Sequence, residues 1–487
     1  MSMQQQFDLS TLPTTSPHKL SAEGLDAIHE TSIHILEDIG IQVGHDEMRD
    51  ILDEAGAVVG DDDMVTFPRS LVEDAVEGAP SSFEMHGRNP DRDVTVGEGD
   101  PVIAPGYGAP NILTYDDGRR QSTLSDYEDL IKLAQVEDEI TCAGYVLCEP
   151  NDVPQEVKHL EMIERTLKFT DMPLMGSPYG EDRAKASIDL VSMAVDDPDM
   201  SRPYMTATCN PVPPRQWDER MTGGLLQYAR HNQPVLVGNL LMANASGPSS
   251  LAGSLALTNA EILAGITMTQ VVNPGVPVIH GTITSNVDVR SGALSMGSPE
   301  GTLCTSFASQ IGSYYDVPAR AGGGLTDAKT VDDQSGSESM MQLMMAMLGD
   351  IDFMLHGAGI LDSFGTMSPE KFVLDCERIR YLNEIEAGYD LNEDTFATDL
   401  IEEVEPGGHF LNKRHTLEHS KENHYFSDIY AKDSYDNWEN AGAKDAFESA
   451  ADTVQERLDA YERPPMDDDI QADIEDYVEE QREEILG

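Results

Sequence analysis

Short apolar runs alternate with longer amphipathic stretches along most of the chain, and this alternation predicts strands and helices in succession. Eight runs have the length and composition of buried strands; they cover residues 101–105, 140–147, 173–177, 204–210, 234–240, 277–284, 317–322 and 352–356. Helical spacing is found in the segments that follow them, at 125–137, 155–169, 182–194, 216–230, 250–271, 299–315, 334–348 and 369–387. Eight β–α units in a row predict an α/β protein with a (β/α)8 TIM barrel. A doubly wound open sheet is the alternative.

Both ends of the chain differ from this central pattern. Helical periodicity at 21–40, 46–55 and 69–78, followed by an alternating segment at 81–96 typical of a hairpin, predicts an α+β lead-in. After residue 387 the chain is polar and acidic, with a charged helical end at 445–486. We therefore expect an N-terminal lead-in over 1–100, the barrel over 101–387 and a helical acidic C-terminal extension over 388–487. The extension should pack on the barrel or on a neighbouring subunit.

The charge of the chain restricts its partners. Asp and Glu number 89 against 31 Lys and Arg, a net charge of −58 over 487 residues. Such a charge repels nucleic acids and anionic membranes, so we expect neither as a partner. The acidic residues are spread along the chain, which is typical of a surface adapted to high salt. A halophilic, archaeon-like background is the expectation.

Apolar runs and cysteines bear on location and metal content. No apolar run approaches the ~20 residues needed to span a bilayer, and residues 1–20 lack the build of a secretory signal. The prediction is a cytoplasmic protein, and we expect it to form a homo-oligomer. The five cysteines form no CxxC pair and no cluster with histidine. Reduced, buried thiols and no tightly bound metal are therefore expected.

Polar and aromatic residues lie where the predicted strands end, and the active site of a barrel lies at those carboxyl ends. The catalytic candidates are His356, Asn286 and Asp288. The substrate-binding candidates are Tyr107, Tyr145, Tyr179, Asn210, Asn239, Gly322, Gly323, Gly324 and Phe364. Lys and Arg are scarce among the residues at these ends, and no Ser/His/Asp arrangement is evident. The predicted site is polar and mostly neutral.

Each candidate also has a purely structural interpretation. Asparagine at a strand end often forms a loop or caps a helix. The tyrosines could be core or rim aromatics, and His356 on an apolar strand could be a hydrogen-bonded core histidine. The three glycines could only turn the chain, although a backbone nest after the seventh strand of a barrel often binds anions.

Several stretches of the chain resemble one known family. The stretches are LSAEGLDAIHETSIHILEDIGIQV, APGYGAPNILTYDDGRRQSTLSDYEDLIKLA, GGGLTDAKTVDDQSGSESMM with HGAGILDSF, and GGHFLNKRHTLEH. They are similar to the trimethylamine methyltransferase (MttB-like) family, and the resemblance extends from residue 20 to residue 460. It implies a (β/α)8 barrel that passes a methyl group from a methylated amine to the cobalt of a corrinoid carried by a separate partner protein.

One departure from the family pattern bears on the substrate. Members that act on trimethylamine carry pyrrolysine, which the resemblance places near Lys329–Thr330, and this sequence contains no such residue. Relatives without pyrrolysine look like demethylases of quaternary amines such as glycine betaine. A quaternary ammonium already has a neutral amine as its leaving group, so a site without a general acid suits it. The alternatives are a true trimethylamine:corrinoid methyltransferase and a barrel that binds methylamines without turnover.

The expected chemistry assigns roles to the candidates. A quaternary nitrogen loses its charge in the transition state, so aromatic faces should hold it with less penalty than a carboxylate. Tyr107, Tyr145, Tyr179 and Phe364 are the predicted cage. The carboxylate of a betaine-like substrate would need donors, for which the candidates are Asn210, Asn239, His356 and the backbone amides of Gly322–Gly324.

Overall fold

The N-terminal region forms an α+β layer against the rest of the chain. The computed structural model describes residues 19–420 and 424–487, so the prediction about a signal at residues 1–20 concerns residues that lie mostly outside it. In chain order the elements are α1 (Ala22–His34), a π-helical turn (Ile35–Ile39), β1 (Ile41–Val43), α2 (Asp46–Glu54), β2 (Val58–Val59), a 3-10 turn (Asp61–Asp63), β3 (Met64–Thr66), α3 (Arg69–Glu77), β4 (Phe83–Met85), a 3-10 turn (Pro90–Arg92) and β5 (Val94–Val96). The predicted helices and hairpin are confirmed.

The central region alternates strands and helices as the hydrophobic pattern predicts. Its elements are β6 (Val102–Ile103), β7 (Asn111–Thr114), β8 (Gly118–Gln121), α4 (Leu124–Val136), α5 (Lys158–Phe169), β9 (Leu174–Met175), α6 (Glu181–Ala194), β10 (Met205–Cys209), β11 (Gln216–Trp217), α7 (Glu219–Arg230), β12 (Val235–Asn239), β13 (Met242–Ala243), α8 (Leu251–Val272), β14 (Val278–Thr282), β15 (Ser285–Val287), β16 (Leu294–Ser295), α9 (Pro299–Tyr315), β17 (Ala319–Gly322), α10 (Asp333–Met347), β18 (Phe353–Leu355), β19 (Ile360–Leu361), β20 (Thr366–Met367) and α11 (Pro369–Ala387). The helix starts follow the capping residues of the sequence, for example Thr123, whose hydroxyl accepts from the Asp126 amide.

Seven strands form one parallel sheet in the order β6–β18–β17–β14–β12–β10–β9. Residues 140–147, predicted as a strand, are irregular instead, because Gly144 has a left-handed backbone (φ 75°) that interrupts the extended run. The segment nevertheless lies between the two edges of the sheet. Thr141 and Cys142 donate backbone hydrogen bonds to Ile103 at 3.0 and 3.1 Å, and Gly144 accepts one from Met175 at 3.0 Å.

The two faces of this sheet have different neighbours. On the outer face, Val237 packs against the position of Gly265 on α8, and the side chain of Asn239 reaches Glu261 on the same helix. The strand register shows which residues share the inner face. Gly238 pairs with Gly281, and Gly281 pairs with Arg320. Because paired residues of a parallel sheet point the same way, Arg320 points to the inner face.

The carboxyl ends of the strands are covered by smaller sheets built from the connections to the following helices. One has the strand order β13–β15–β16, and another has the order β19–β20–β7–β8. β11, which follows β10, joins the N-terminal sheet in the order β11–β1–β3–β2. These additions make one end of the main sheet elaborate, which is where an α/β enzyme carries its site.

One helix corrects the expectation about apolar runs. Helix α8, of 22 residues, is long and apolar enough to span a membrane by length and composition. In the most apolar window of this helix, 83% of the residues are buried inside the protein, between the sheet and α1, α2, α3 and α7. It is therefore placed as a core helix.

The C-terminal region consists of short helices followed by two long ones. Its elements are α12 (Glu393–Phe396), α13 (Thr398–Glu403), α14 (Arg414–His419), α15 (Tyr435–Asn440), α16 (Ala446–Ala460) and α17 (Asp468–Leu486). Helix α16 packs on α11 and α4, and α17 packs on α5 and α6. The predicted helical end is confirmed, with a break over residues 461–467.

Candidate functional site

Four of the predicted residues form one aromatic cluster at the carboxyl ends of β6 and β18. The ring centroids of Tyr107 and Tyr145 lie 6.4 Å apart, and those of Tyr107 and His356 lie 6.3 Å apart in an edge-on arrangement. The ring of Phe364 lies 4.7 Å from that of His356. The sequence places these residues up to 257 positions apart, so the sheet topology is what brings them together.

The local sequence explains how Tyr107 reaches the cluster. It lies in the segment APGYG directly after β6, and Gly108 takes a left-handed backbone (φ 88°) that turns the chain away. At Gly106 a methyl group would stand 2.6 Å from Cγ1 of Ile360, so only glycine lets the loop approach β19. The backbone amide of Tyr107 donates to Nδ1 of His356 at 3.2 Å. The two residues are therefore fixed to each other.

This hydrogen bond and the surroundings of His356 define its protonation. Burial lowers the pKa of His356 well below its ordinary value, and the positive charge of Arg320 lowers it further. The imidazole is therefore neutral at physiological pH. Because Nδ1 accepts the hydrogen bond, the proton is assigned to Nε2, which is left as a donor.

The tyrosines of the cluster are neutral phenols. Burial raises the pKa values of Tyr107, Tyr145 and Tyr179, and the phenol of Tyr179 lies near enough to contribute to the shift of Tyr107. The hydroxyl of Tyr107 is buried without a hydrogen-bond partner among the described residues. Glu149 is the carboxylate that acts on all three tyrosines, and it is bound by Lys158 at 3.0 Å.

Phe364 is held in place by a strained turn. Asp362, Ser363 and Phe364 all have left-handed backbones, with φ of 56°, 49° and 76°. Such conformations persist only where the surroundings enforce them. The hydroxyl of Ser363 donates to Oδ1 of Asp327 at 2.6 Å, and Asp327 also accepts from the backbone amide of Met296 at 2.7 Å. Asp327 thus ties three loops together behind the aromatic cluster.

A buried arginine lies beside this cluster on the inner face of the sheet. Arg320 is 1% exposed, and its Nε has no hydrogen-bond partner among the described residues. Desolvation lowers its pKa to about 9, and no carboxylate offsets this. The hydroxyl of Thr208, which projects from β10 to the same face, is also buried and unpartnered. A buried cation without an anion is costly, so this arrangement favours an anionic ligand.

Asn210 reaches the same inner face. Its Oδ1 lies next to the Cα of Gly238. The register of β10 and β12 places Asn210 opposite Gly238. Gly238 and Gly281, neighbours on adjacent strands, lie between Asn210 and Arg320 and carry no side chains. The strand ends therefore combine an aromatic cluster, a neutral histidine donor and a buried arginine.

Three other predicted residues have partners elsewhere. Asn239 points to the outer face and donates to Glu261 at 2.5 Å, and burial raises the pKa of Glu261 to about 7. Asn286 accepts from Ser298, the N-cap of α9, at 2.7 Å. Asp288 binds Arg290 in an exposed turn, which lowers its pKa to about 2. The structure shows no contact between these side chains and the aromatic cluster.

The glycine-rich stretch packs against protein backbone. None of Gly322, Gly323 and Gly324 has a positive φ, so a left-handed turn does not explain them. A methyl group at Gly323 would stand 2.9 Å from Cα of Gly357, and one at Gly324 would stand 2.8 Å from the carbonyl oxygen of Gly357. The amide of Gly324 donates to the carbonyl of His356 at 2.8 Å. These glycines seat one loop against the next and so support His356.

A buried ion cluster that the sequence did not reveal fixes the same two loops. Lys371, fully buried on α11, donates to the carbonyl of Gly324 at 2.7 Å and to Asp375 at 2.5 Å. Asp375 also accepts from the amide of Gly359 at 2.9 Å and pairs with Arg378 at 2.5 Å. Desolvation lowers the pKa of Lys371 to about 8. The periodic position of Lys371 in α11 gave no signal of this role.

One group of potential metal ligands lies away from the aromatic cluster. Glu137, Glu139 and Cys376 are close enough to share an ion. However, Glu137 is already bound by Arg380 and Arg457, and Arg380 also binds Glu139 at 2.8 Å. Burial raises the pKa of the Cys376 thiol well above its ordinary value, which disfavours the thiolate that metals bind. The guanidinium groups of Arg380 and Arg457 therefore neutralise these carboxylates without a metal ion.

A parallel α/β sheet with polar and aromatic residues gathered at its strand ends is the arrangement typical of enzymes that act on small molecules. Comparison with known proteins identifies the family. The family described as Trimethylamine methyltransferase (MTTB) matches residues 2–486. The chain therefore belongs to the MTTB family of corrinoid-dependent methyltransferases.

Individual relatives are similar over most of the chain. Glycine betaine methyltransferase of Desulfitobacterium hafniense (strain Y51) is 41% identical over 426 residues, which cover 86% of this chain and 88% of the relative. Proline betaine:corrinoid methyltransferase of Eubacterium limosum is 30% identical, covering 83% and 85%. Among solved structures, the monomethylamine methyltransferase (MtmB) of Methanosarcina barkeri superposes with a TM-score of 0.55 at 10% identity, covering 95% of this chain and 92% of that one. The last likeness concerns the fold.

Proposed function

We propose that this protein transfers a methyl group from a quaternary amine that carries a carboxylate, glycine betaine or a close analogue, to a corrinoid protein. The observation that carries the proposal is the unpaired, buried Arg320 beside the aromatic cluster. Aromatic faces attract a quaternary ammonium, and a buried guanidinium requires an anion. A betaine supplies both charges in one small molecule. The names of the two betaine methyltransferases among its relatives support the same choice.

Each group of the site then has a role. Arg320 and the Nε2 proton of His356 would bind the carboxylate of the substrate, and Asn210 and Thr208 would line the same face. Tyr107, Tyr145, Tyr179 and Phe364 would surround the methylated nitrogen. This binding would orient one methyl carbon outward and exclude water from it.

The donor set fits a methyl transfer without proton transfer. The corrinoid, carried by the partner protein, supplies the nucleophile that accepts the methyl group. The carbon–nitrogen bond breaks, its electron pair stays on nitrogen, and the product is a neutral tertiary amine. No general acid is needed, and the neutral His356 and phenols match this requirement. With Glu149 engaged by Lys158, the substrate cation is not over-stabilised before its charge disappears.

The alternative substrate, trimethylamine, lacks an anionic end and would leave Arg320 unpaired. A barrel that binds methylamines without turnover would not need to expose the methyl carbon of the bound amine to a partner protein.

We further infer that residues 141–144 complete the main sheet as the eighth position of a closed (β/α)8 barrel. Their hydrogen bonds to both sheet edges support this. On this basis 1–100 would be the lead-in, 101–387 the barrel and 388–487 the extension. The acidic composition further supports a cytoplasmic protein from a high-salt cell.

Replacing Arg320 tests the proposal. Arg320→Met should weaken glycine betaine binding by about 2 kcal/mol or more, because a desolvated charge pair is lost. The same variant should weaken binding of 3,3-dimethylbutanoate, which has the carboxylate but a carbon in place of nitrogen. Calorimetric titration with both ligands is the measurement. Unchanged affinity for both would exclude Arg320 as the carboxylate site.

Stability separates this role from a structural one. Removing an unpaired buried charge should leave the melting temperature of Arg320→Met equal to or above that of the parent. Arg378→Met is the matched control, because Arg378 is also buried but pairs with Asp375. The control should melt at a lower temperature than the parent. A large loss of stability in Arg320→Met would show that this arginine serves the fold.

A further inference from the structure

The carboxylate of Asp327, behind the aromatic cluster, accepts four hydrogen bonds. Its Oδ1 accepts from the hydroxyl of Ser363 at 2.6 Å and from the amide of Met296 at 2.7 Å. Its Oδ2 accepts from the hydroxyl of Ser295 at 3.0 Å and from the amide of Gly297 at 3.1 Å. Asp327 therefore holds the turn that contains Ser363 against the connection between β16 and α9.

This set of donors requires a carboxylate. Each oxygen of Asp327 faces one backbone N–H in addition to one hydroxyl. An asparagine would turn its NH2 group toward one of the two backbone N–H groups, whichever way its amide were oriented. A hydroxyl can rotate and accept a hydrogen bond instead, but a backbone N–H cannot. Asp327→Asn therefore keeps the shape of the side chain and loses its function as a double acceptor.

The backbone of Asp327 is fixed from the opposite side by Glu338 of α10. Oε2 of Glu338 accepts from the amide of Asp327 at 2.8 Å and from the hydroxyl of Thr326 at 2.6 Å. The carbonyl of Thr326 in turn accepts from the amide of Ser363 at 3.1 Å. Helix α10 thus supplies a fixed point, and the side chain of Asp327 attaches the turn to it.

The turn that Asp327 holds also contains Phe364. Ser363 and Phe364 both have left-handed backbones, with φ of 49° and 76°, and neither is a glycine, so this conformation needs a restraint. The half-buried ring of Phe364 lies 4.7 Å from the ring of His356. Release of the Ser363 hydroxyl would let the turn relax and would take the Phe364 ring away from the imidazole.

We propose that Asp327 is a positioning residue for substrate binding, because its carboxylate sets the Phe364 ring where that ring holds the methylated cation. The inference rests on the proposed function, in which Phe364 belongs to the aromatic cage. Asp327 acts through the ring and not on the substrate itself. Loss of its carboxylate should therefore weaken recognition of the positive charge and spare recognition of the anionic end by Arg320.

A double-mutant cycle on ligand affinity tests the proposal. Asp327→Asn and Phe364→Leu should each weaken glycine betaine binding by roughly 2- to 30-fold, the size of one cation–π contact, and should change the affinity for 3,3-dimethylbutanoate much less. The double variant should bind glycine betaine no more weakly than Phe364→Leu alone, because both changes act through one ring. Calorimetric titration in molar KCl gives the affinities.

Two results of this cycle would contradict the proposal. An additive loss in the double variant would mean that the charge of Asp327 acts on the cation directly. Equal losses for the two ligands in Asp327→Asn would mean that the carboxylate only maintains the fold.

Asp171→Asn is the matched control. Asp171 is buried just before β9, at the amino-terminal edge of the sheet, and its two oxygens accept from the side-chain amides of Gln135 at 3.0 Å and Asn89 at 3.2 Å. The change should lower the melting temperature and leave the affinity for both ligands at the parent value. A selective loss of glycine betaine affinity in this control would show that general loosening explains Asp327→Asn, and the proposal would fall.

Hydrogen exchange tests the restraint without any ligand. The amide of Ser363 is bonded to the carbonyl of Thr326, so its exchange with deuterium reports the opening of the turn. In Asp327→Asn this amide should exchange several-fold faster than in the parent, and in Asp171→Asn it should exchange at the parent rate. Exchange at the parent rate in Asp327→Asn would overturn the proposal.

The two measurements also separate this proposal from the proposed function. Faster exchange in Asp327→Asn combined with parent affinity for glycine betaine in Phe364→Leu would show that the carboxylate restrains the turn but that the ring does not hold the cation. The aromatic cage of the proposed function would then be wrong, and the restraint would not.

Discussion

Gly323→Ala tests how the glycine-rich stretch supports the site. The added methyl group would stand 2.7 Å from Cγ of Met354 and 2.9 Å from Cα of Gly357. Met354 has a flexible side chain but is fully buried, and Gly357 is backbone on the neighbouring loop, so the packing around both has to shift. Overpacking of this kind costs about 1–3 kcal/mol. Because the amide of Gly324 holds the carbonyl of His356, the same shift should displace the histidine and lower turnover.

Gly336→Ala is the matched control for this experiment. Gly336 lies inside α10, 13 residues away, and its added methyl group would meet only Nη2 of Arg378 at 3.6 Å. In a helix interior this change should stabilise the protein by roughly 0.5–1 kcal/mol. Denaturant unfolding of both variants in molar KCl, with the methyl transfer rate measured alongside, gives the comparison. If Gly323→Ala were as stable as the parent while losing turnover, the loop would contact a ligand and our packing explanation would be wrong.

Three further predictions concern charge and the aromatic cluster. Tyr107→Ala should weaken glycine betaine binding by about 0.5–2 kcal/mol, the size of one cation–π contact, and affect 3,3-dimethylbutanoate much less; equal losses in calorimetry would mean that the ring only shapes the site. His356→Gln should keep part of the methyl transfer rate that His356→Leu loses, and because the histidine is neutral, the parent rate should show no histidine inflection between about pH 6.5 and 8; a parent rate in His356→Leu would remove the residue from the site. Because of the net charge of −58, the melting temperature should fall as KCl is diluted from molar concentrations, whereas a flat profile would argue against the high-salt interpretation.

The fold was largely predictable because apolar runs and capping residues act locally. The alternation of strands and helices follows from such runs, and the aromatic cluster follows from where the strands end. The segment at 140–147 is the exception, since its composition suits a strand but the left-handed Gly144 does not. The neighbouring residues in the sequence do not distinguish this glycine from one in an extended conformation.

The site was only partly predictable, because side-chain direction depends on long-range register. Arg320 lies in the run VPARAGGG, where a single cation gives no sign of burial. Its burial follows from pairing with Gly281, which in turn pairs with Gly238, and such pairing involves segments far apart in the chain. The position of Asn239 at a strand end predicts a place in the site, but its side chain faces α8. Asn286 was carried elsewhere by the β15–β16 hairpin.

The central claim is that the substrate is glycine betaine or a close analogue, and one measurement on the purified parent protein tests this claim most directly. The protein is mixed with chemically reduced cobalamin as the methyl acceptor, and proton NMR follows glycine betaine, trimethylamine and tetramethylammonium in parallel samples. We predict that glycine betaine is converted to dimethylglycine, with trimethylamine unchanged and tetramethylammonium, which lacks a carboxylate for Arg320, demethylated far more slowly. Consumption of trimethylamine with glycine betaine left intact would contradict the account.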